Sequence, residues 1–340
     1  MRFGSTARIQ MDNLTHGLLG LAIGALRRPD GGPGTGRPFS ATDKAVLCAS
    51  LVAAELPDLD TLLPAANEAM HALHAHRGIS HAIVVTPLWA LVATGLACAL
   101  FRGARALPTF GFALGAVLFA HLAPDLWTGW GTRALLPFTD ARLHWDLTGV
   151  VDPLVTLPLL AGLIFAWVKR ASWRKALTIG LAVSCAYLGF RGISREIVKG
   201  RLEAAYPTAS RIEVFPSLLS AHRWRWVAEV PEGYEAGVAQ LFGAVESQRR
   251  IPMSPPLPAD LGANEAVREA LAWARLPTVS VEPLEDGGHQ VRIADLRYHL
   301  GGEPTLSIVV DVDREGATRD ARLDRGGTSA EIVERWKSSR

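Results

Sequence analysis

The chain has 340 residues, 49% hydrophobic and 20% charged, with a formal net charge of +2 at pH 7. A balance this small, with no basic block interleaved with aromatics, excludes the electrostatic footprint expected of a nucleic-acid-binding protein. Of the 68 Asp, Glu, Lys and Arg residues, 30 lie in the first 200 positions and 38 in the last 140. The apolar surplus is therefore N-terminal, which excludes both a uniform soluble globule and a disordered chain.

Arg2 and Arg8 precede an apolar segment, but no small-residue cleavage site follows before Arg27 and Arg28, so the segment reads as a retained first helix and not a signal peptide. Met11 is a candidate start. Residues 14–26 and 45–56 are apolar but only about 12 or 13 residues long, short of the ~20 a span requires, and read as buried or half-inserted helices. Residues 82–101 and 149–168 are long enough to cross a bilayer. Residues 107–123 and 176–190 lie near the lower limit of about 17 and pair with those two across short basic loops, giving two helical hairpins.

If all six segments cross, one face carries Arg27, Arg28, Arg37 and Lys44, then Arg102 and Arg105, then Lys169, Arg170, Arg174 and Lys175. The positive-inside tendency makes that face cytoplasmic. The loops at 57–81 and 124–148 and the C-terminal region are then expected on the extracytoplasmic side.

From about residue 200 the pattern turns to β-branched, alternating stretches at 211–215, 222–230, 278–281, 289–298 and 305–312. Helices are expected at 264–275 and 329–336, with a Pro-rich loop at 251–258. The fold class is thus mostly α: a multi-pass membrane helical bundle at 11–195, followed by a small α+β C-terminal domain at 200–340. Cys48, Cys98 and Cys185 sit inside apolar runs without CxxC spacing and read as small core residues.

Seven of the ten histidines lie between positions 16 and 144, most of them at expected helix ends beside carboxylates. His71 and His74 read as surface residues. His121 and Asp125 are four apart, so they share a helix face if the helix persists through Pro124. Asp58 and Asp60 flank one leucine, and carboxylates this close favour a shared cation or proton. His76 and His81 bracket Arg77 and Gly78, where imidazoles suit zinc and an arginine suits an anion. His16 opens the first apolar helix. The topology brings all four motifs to one side of one bundle. Ligands of oxygen and imidazole without thiolate point to zinc, manganese or iron.

The stretches Met11-Asp-Asn-Leu-Thr-His16-Gly, Pro57-Asp58-Leu-Asp60, His76-Arg77-Gly-Ile-Ser80-His81 and His121-Leu-Ala-Pro-Asp125 resemble the YdjM-like inner-membrane metal-dependent hydrolases, over about residues 11–190. The order of the motifs is also distantly similar to that of the zinc-dependent phospholipase C and single-strand nuclease group, an analogy that suggests phosphoester chemistry. The second His-x-x-x-acid pair of that group is missing, with His144, Asp146 and Asp152 as candidate substitutes, so one or two ions are expected and not three.

The resemblance implies a membrane-bound hydrolase of an ester or phosphoester, with His16, Asp58, Asp60, His76, His81, His121 and Asp125 as the metal-binding set. A divalent ion, zinc first, would activate a water. Asp58 or Asp60 would take its proton, and Arg77 would stabilise anionic charge. Membrane lipids are the expected partners and a lipid or lipid-linked ester the expected substrate. The competing readings are a membrane scaffold with a structural metal and an ion-binding transporter. His222, Arg223 and Arg225 beside Trp224 and Trp226 read as an ordinary strand with one solvated face.

Overall fold

A computed structural model describes residues 13–32, 37–62, 68–169, 173–217, 220–300, 302–327 and 331. Met11 and nearly all of the helix expected at 329–336 lie outside them. The chain is a mostly helical, multi-pass membrane bundle followed in sequence by an antiparallel α+β region. It divides into two compact units, one of residues 1–62, 77–196 and 216–222, the other of residues 63–76, 197–215 and 223–340.

In the first unit, α1 is Asn13–Ala25 and α2 is Ala41–Ala53, 13 residues each. At 1.5 Å per residue each is roughly 20 Å long, well short of a hydrocarbon core of about 30 Å. Their residues Leu18, Leu19, Ala22, Ala45, Ala49 and Ala53 are core, so both are interior helices. Ser40 caps α2, accepting from the Asp43 backbone N–H while the Asp43 carboxylate accepts from the Ser40 backbone. Gly20 lets the two helices touch, because a Cβ there would lie 2.6 Å from the Ser50 carbonyl oxygen.

Helix α3 spans Thr86–Leu100 behind a 3-10 turn at Ile83–Val85. Its small residues Ala90, Ala93 and Ala97 face the core, whereas Leu88, Leu91 and Leu96 point outward. This is the arrangement of a helix whose surroundings are as apolar as its interior, where small residues permit close packing. Helix α4 runs Ala106–Trp127, with Thr109, Ala113 and Ala116 turned inward. Helix α5 is Pro153–Lys169 and α6 is Trp173–Ala205. They approach closely at Gly162 and Gly180, where a Cβ would lie 2.8 Å from the Ala176 carbonyl oxygen and 2.7 Å from that of Pro158.

Among the described residues three helices are long and apolar enough to cross a membrane: Ile83–Leu100, Ala106–Trp127 and Trp173–Ala205. The expected span at 149–168 is shorter, since Asp152 ends the preceding loop and the helix begins at Pro153. Asp152 Oδ1 accepts the Leu154 N–H at 2.9 Å, as a capping carboxylate does. Cys48 and Cys98 are half-buried, but Cys185 is exposed on the apolar surface of α6 and is not a core residue.

The second unit holds two four-stranded antiparallel sheets. The first is a meander of β1 (Arg211–Pro216), β2 (Arg223–Val230), β3 (Gly233–Gln240) and β4 (Val245–Pro252). Trp224 and Trp226 lie in its core, and Gly237, paired with Trp226, leaves room for the indole. Helix α7 (Glu265–Trp273) is capped by Asn264, which accepts the Val267 N–H at 3.2 Å. The second sheet has β5 (Pro277–Pro283), β6 (His289–Asp295), β7 (Ser307–Val312) and β8 (Thr318–Asp324) in the order β8-β7-β6-β5.

Arg225 is half-buried and donates to the carbonyls of His299 at 2.7 Å and Arg297 at 2.8 Å, so its charge serves the fold and does not face headgroups. His71 is half-buried, not a surface residue, and its two ring nitrogens are shielded from solvent. His76 closes the π-helical turn His71–Ala75, its N–H on the His71 carbonyl at 3.1 Å, and is itself buried.

Candidate metal centre

The basic loops of the first unit meet at one end of the bundle. Arg27 pairs with Asp43, the Arg105 N–H reaches Thr42 Oγ1 at 3.1 Å, and Arg174 Nε reaches the Leu26 carbonyl at 3.4 Å. The other end, reached by the start of α1, the end of α2, the start of α3 and the end of α4, gathers imidazoles and carboxylates. His16 sits in the first turn of α1. Asp58 and Asp60 lie on the 3-10 turn Leu56–Leu62 that follows α2, with Leu59 between them facing out. His81 ends the 3-10 turn Ile79–His81 before α3.

His121 lies on a π-helical turn, Val117–Leu122, within α4, and Asp125 follows on the α-helical turn Ala123–Trp127. A proline in a helix lacks an N–H and crowds the carbonyl four residues earlier. The widened turn ahead of Pro124 absorbs that conflict and keeps the helix going. The pair expected to share a face does so, with His121 Nε2 3.8 Å from Asp125 Oδ2.

At the centre, His81 Nε2 lies 3.0 Å from His121 Nε2 and 3.2 Å from both Asp58 Oδ1 and Asp125 Oδ2. His121 Nε2 is also 3.5 Å from Asp58 Oδ1. His16 completes the ring, Nδ1 3.8 Å from Asp58 Oδ2 and Nε2 4.0 Å from Asp125 Oδ1. All five side chains are buried. His121 Nδ1 is 2.7 Å from the Ala54 carbonyl oxygen, which can only accept, so Nδ1 carries the proton and Nε2 presents a lone pair to the cluster.

Acceptors thus converge on one buried point, and Asp58 Oδ2 has no hydrogen-bond partner. Such an array demands a proton or a cation, and its nitrogen and oxygen donors suit a divalent transition ion. Two sets, His16 with Asp58 and His121, and His81 with His121 and Asp125, each offer ligand atoms within 4.8 Å of one another. Outside the membrane-spanning helices, Asp58 and His81 shift in opposite directions. Burial alone would raise the Asp58 carboxyl, but the hydrogen bond from His81 brings it below the usual carboxylate value. Burial alone would lower His81, but Asp125, Asp58 and Asp60 lift it well above the usual imidazole value.

Arg77 is buried with a left-handed backbone at φ 57°. Its guanidinium holds Asp125 Oδ1 at 2.6 Å and Thr128 Oγ1 at 2.8 Å, leaving Nε without a hydrogen-bond partner. A cleft bordered by His16, Asp58, Arg77, Asp125, Thr148 and Val150 opens beside the cluster.

Of the seven expected ligands, His16, Asp58, Asp60, His81, His121 and Asp125 lie in the first unit. His76 belongs to the other unit. Glu55, three residues before Asp58, accepts from Asn13 Nδ2 at 2.8 Å. The candidate substitutes for a second His-acid pair are committed elsewhere: His144 Nδ1 to Asp146 Oδ2 at 2.9 Å, and Asp152 Oδ2 to the Tyr187 hydroxyl at 3.0 Å. The sequence does not point to Ala54, whose contribution is a backbone carbonyl, and names Ser80 only within the motif that ends at His81. Ser80 donates from Oγ to Asp60 Oδ2 at 2.5 Å.

The YdjM inner membrane protein family matches residues 11–198, more than half of the chain and including every residue of this cluster. An uncharacterised protein of Bacillus subtilis, YfhP, is 23% identical over 316 residues, 92% of this chain and 94% of its own length. No solved structure matches.

Proposed function

The chain belongs to the YdjM inner membrane protein family, and we propose that it is a divalent-metal-dependent hydrolase of an ester or phosphoester. The observation that carries this reading is the convergence of His81 Nε2, His121 Nε2, Asp58 Oδ1 and Asp125 Oδ2 on one buried point beside a cleft. His16, Asp58, His81, His121 and Asp125 would hold one or two ions, zinc first, with manganese or iron as alternatives. Such an ion supplies Lewis acidity and lowers the pKa of a water toward about 7.

The chain's own residues supply the rest. Asp58 Oδ2, buried and without a hydrogen-bond partner, is placed to take a proton from the nucleophilic water. Arg77, which fixes Asp125 with one nitrogen and borders the cleft, would stabilise anionic charge there.

We assign the substrate to the amphiphiles of the bilayer. The turns that carry the ligands expose large aliphatic side chains between them: Leu59 is 48% exposed and Ile79 56%, against 4% for Asp58 and none for His81. That apolar surface runs on into Ile83, Val84 and Leu88 of the membrane-spanning segment. On this reading a lipid or lipid-linked ester would be drawn from the bilayer in which that surface sits. The cluster also lies at the end of the bundle opposite the basic loops, so the positive-inside tendency puts it on the extracytoplasmic side of the inner membrane.

The test is metal content together with phosphodiesterase and phosphomonoesterase turnover of the detergent-purified protein, compared with His121→Ala and Asp58→Ala at matched folding. Bound metal with turnover lost in both variants is the expected result. Metal without turnover on any ester moves the assignment to a structural ion, and no metal overturns it.

A further inference from the structure

Asp60 and Ser80 stand behind His81, on the side away from the point where the acceptors converge. Ser80 Oγ lies 2.5 Å from Asp60 Oδ2 and 2.9 Å from His81 Nδ1, and His81 Nδ1 lies 3.2 Å from Asp60 Oδ2. A serine hydroxyl has one proton, and the short contact to a carboxylate oxygen claims it. Toward His81 the hydroxyl therefore accepts, and both it and Asp60 require the proton to sit on His81 Nδ1. Nε2, on the opposite edge of the ring, is left to face His121, Asp58 and Asp125. The Ser80 main chain is itself fixed, its carbonyl taking the Trp89 indole N–H at 2.8 Å.

We propose that Asp60, acting through Ser80 and directly, is a positioning residue and not a ligand: the pair selects the His81 tautomer and ring orientation that presents Nε2 to the ion. This inference rests on the metal-dependent reading above. A carboxylate behind a ligating imidazole raises its basicity as well as orienting it, and losing such a partner typically weakens metal binding about 10- to 100-fold without removing a ligand. His121 is held by the same logic through the Ala54 carbonyl. The two imidazoles at the centre are thus each fixed from behind, one by a carboxylate and hydroxyl, the other by backbone.

The experiment is a titration of the detergent-purified, metal-stripped full chain with Zn²⁺, alongside the visible spectrum of the Co²⁺-loaded protein, for wild type, Asp60→Asn, Ser80→Ala and Asp58→Asn. Asp60→Asn is expected to bind the same number of ions as wild type, about 10- to 100-fold more weakly, with the Co²⁺ bands unchanged in energy. Ser80→Ala is expected to shift affinity in the same direction by less, and it checks the relay independently if Asp60→Asn fails to fold. Asp58→Asn is expected to lose an ion or change the Co²⁺ spectrum. An Asp60→Asn protein with fewer ions or an altered spectrum would make Asp60 a ligand, and unchanged affinity in both Asp60→Asn and Ser80→Ala would make the pair a bystander. Either result overturns the proposal while leaving the metal centre standing, whereas a wild type that binds no ion sinks the metal reading itself.

Discussion

His121 Nδ1 donates to the Ala54 carbonyl at 2.7 Å, so the residue that caps the end of α2 chooses which nitrogen of a helix α4 imidazole faces the cluster. An asparagine at 121 can place its amide near the position of Nδ1 and keep that bond, but it has nothing at the position of Nε2. We expect both His121→Asn and His121→Ala to lose metal. Only His121→Ala should also lose stability, by about 1–3 kcal/mol, because it strands a buried carbonyl. Thermal unfolding of the metal-stripped proteins separates the two effects.

Chelation gives a second check. An ion that binds only the folded chain stabilises it by about 2.7 kcal/mol at a free concentration 100 times its dissociation constant. Treating the purified protein with a strong chelator should therefore lower its unfolding temperature, and restoring Zn²⁺ should recover it. The same treatment applied to His121→Asn should leave the temperature where it was.

How much of this was legible in the residues follows from how each feature is encoded. The candidate ligands His16, Asp58, His81, His121 and Asp125 stood out because imidazoles and carboxylates beside apolar helices carry a cost unless they are used. Their expected convergence rested on a topology in which all six segments cross, although α1 and α2 are too short to span. The π-helical turn at Val117–Leu122 was not readable, since only Pro124 hints at it and a kink would have satisfied the proline equally well. The Ala54 carbonyl leaves no side-chain signature. The short helices α1 and α2 were identifiable as too short to span, but their burial depends on Ala45, Ala49 and Ala53 meeting neighbours that the sequence does not name. In the second unit, β3 went unpredicted because its Gly233, Ala236, Gly237 and Ala239 have weak strand propensity, and β4 and β8 because they bury no side chain but Ala321. Backbone pairing with β3 and β7 defines them, not an alternating apolar pattern.

Asp43 makes stability depend on acid. Its burial would raise the carboxyl, but the Ser40 hydroxyl, the Asp30 and Ser40 backbone N–H groups and Arg27 outweigh that and hold it below its ordinary 3.8. A folded value below the unfolded one means that the contribution is fully present above about pH 4 and is lost as pH falls through the folded value. Asp43→Asn should be less stable than wild type at neutral pH, and the two unfolding curves should converge as pH drops below 4. A constant gap down to pH 2.5 would contradict this.

The contact between α5 and α6 at Gly162 and Gly180 predicts an asymmetry among glycines of α6. Gly180→Val pushes a side chain into the Pro158 carbonyl and should cost about 1–3 kcal/mol. Gly189 has no atom within 4 Å of where a Cβ would stand, so Gly189→Ala should leave stability unchanged or raise it by about 0.4–1 kcal/mol. Urea or thermal unfolding in detergent measures both.

Arg77 and Asp125 form a buried pair at 2.6 Å, and the pair is in contact with the proposed ion site through Asp125. Removing one partner of a buried pair leaves the other uncompensated, at a cost of about 3–5 kcal/mol. Arg77→Ala should therefore destabilise the metal-stripped protein by that order. A cation among the carboxylates can neutralise Asp125 in the absence of the arginine, so the same substitution should cost less when the protein is saturated with Zn²⁺. Arg77→Lys keeps the charge but gives up the fork that spans Asp125 and Thr128, and should fall between the two. The measurement is a cycle of Arg77→Ala and Asp125→Asn, each unfolded with and without Zn²⁺. A coupling between the two residues that is as large with metal as without would mean that the ion does not share Asp125 with the arginine, and Asp125 would then leave the ligand set.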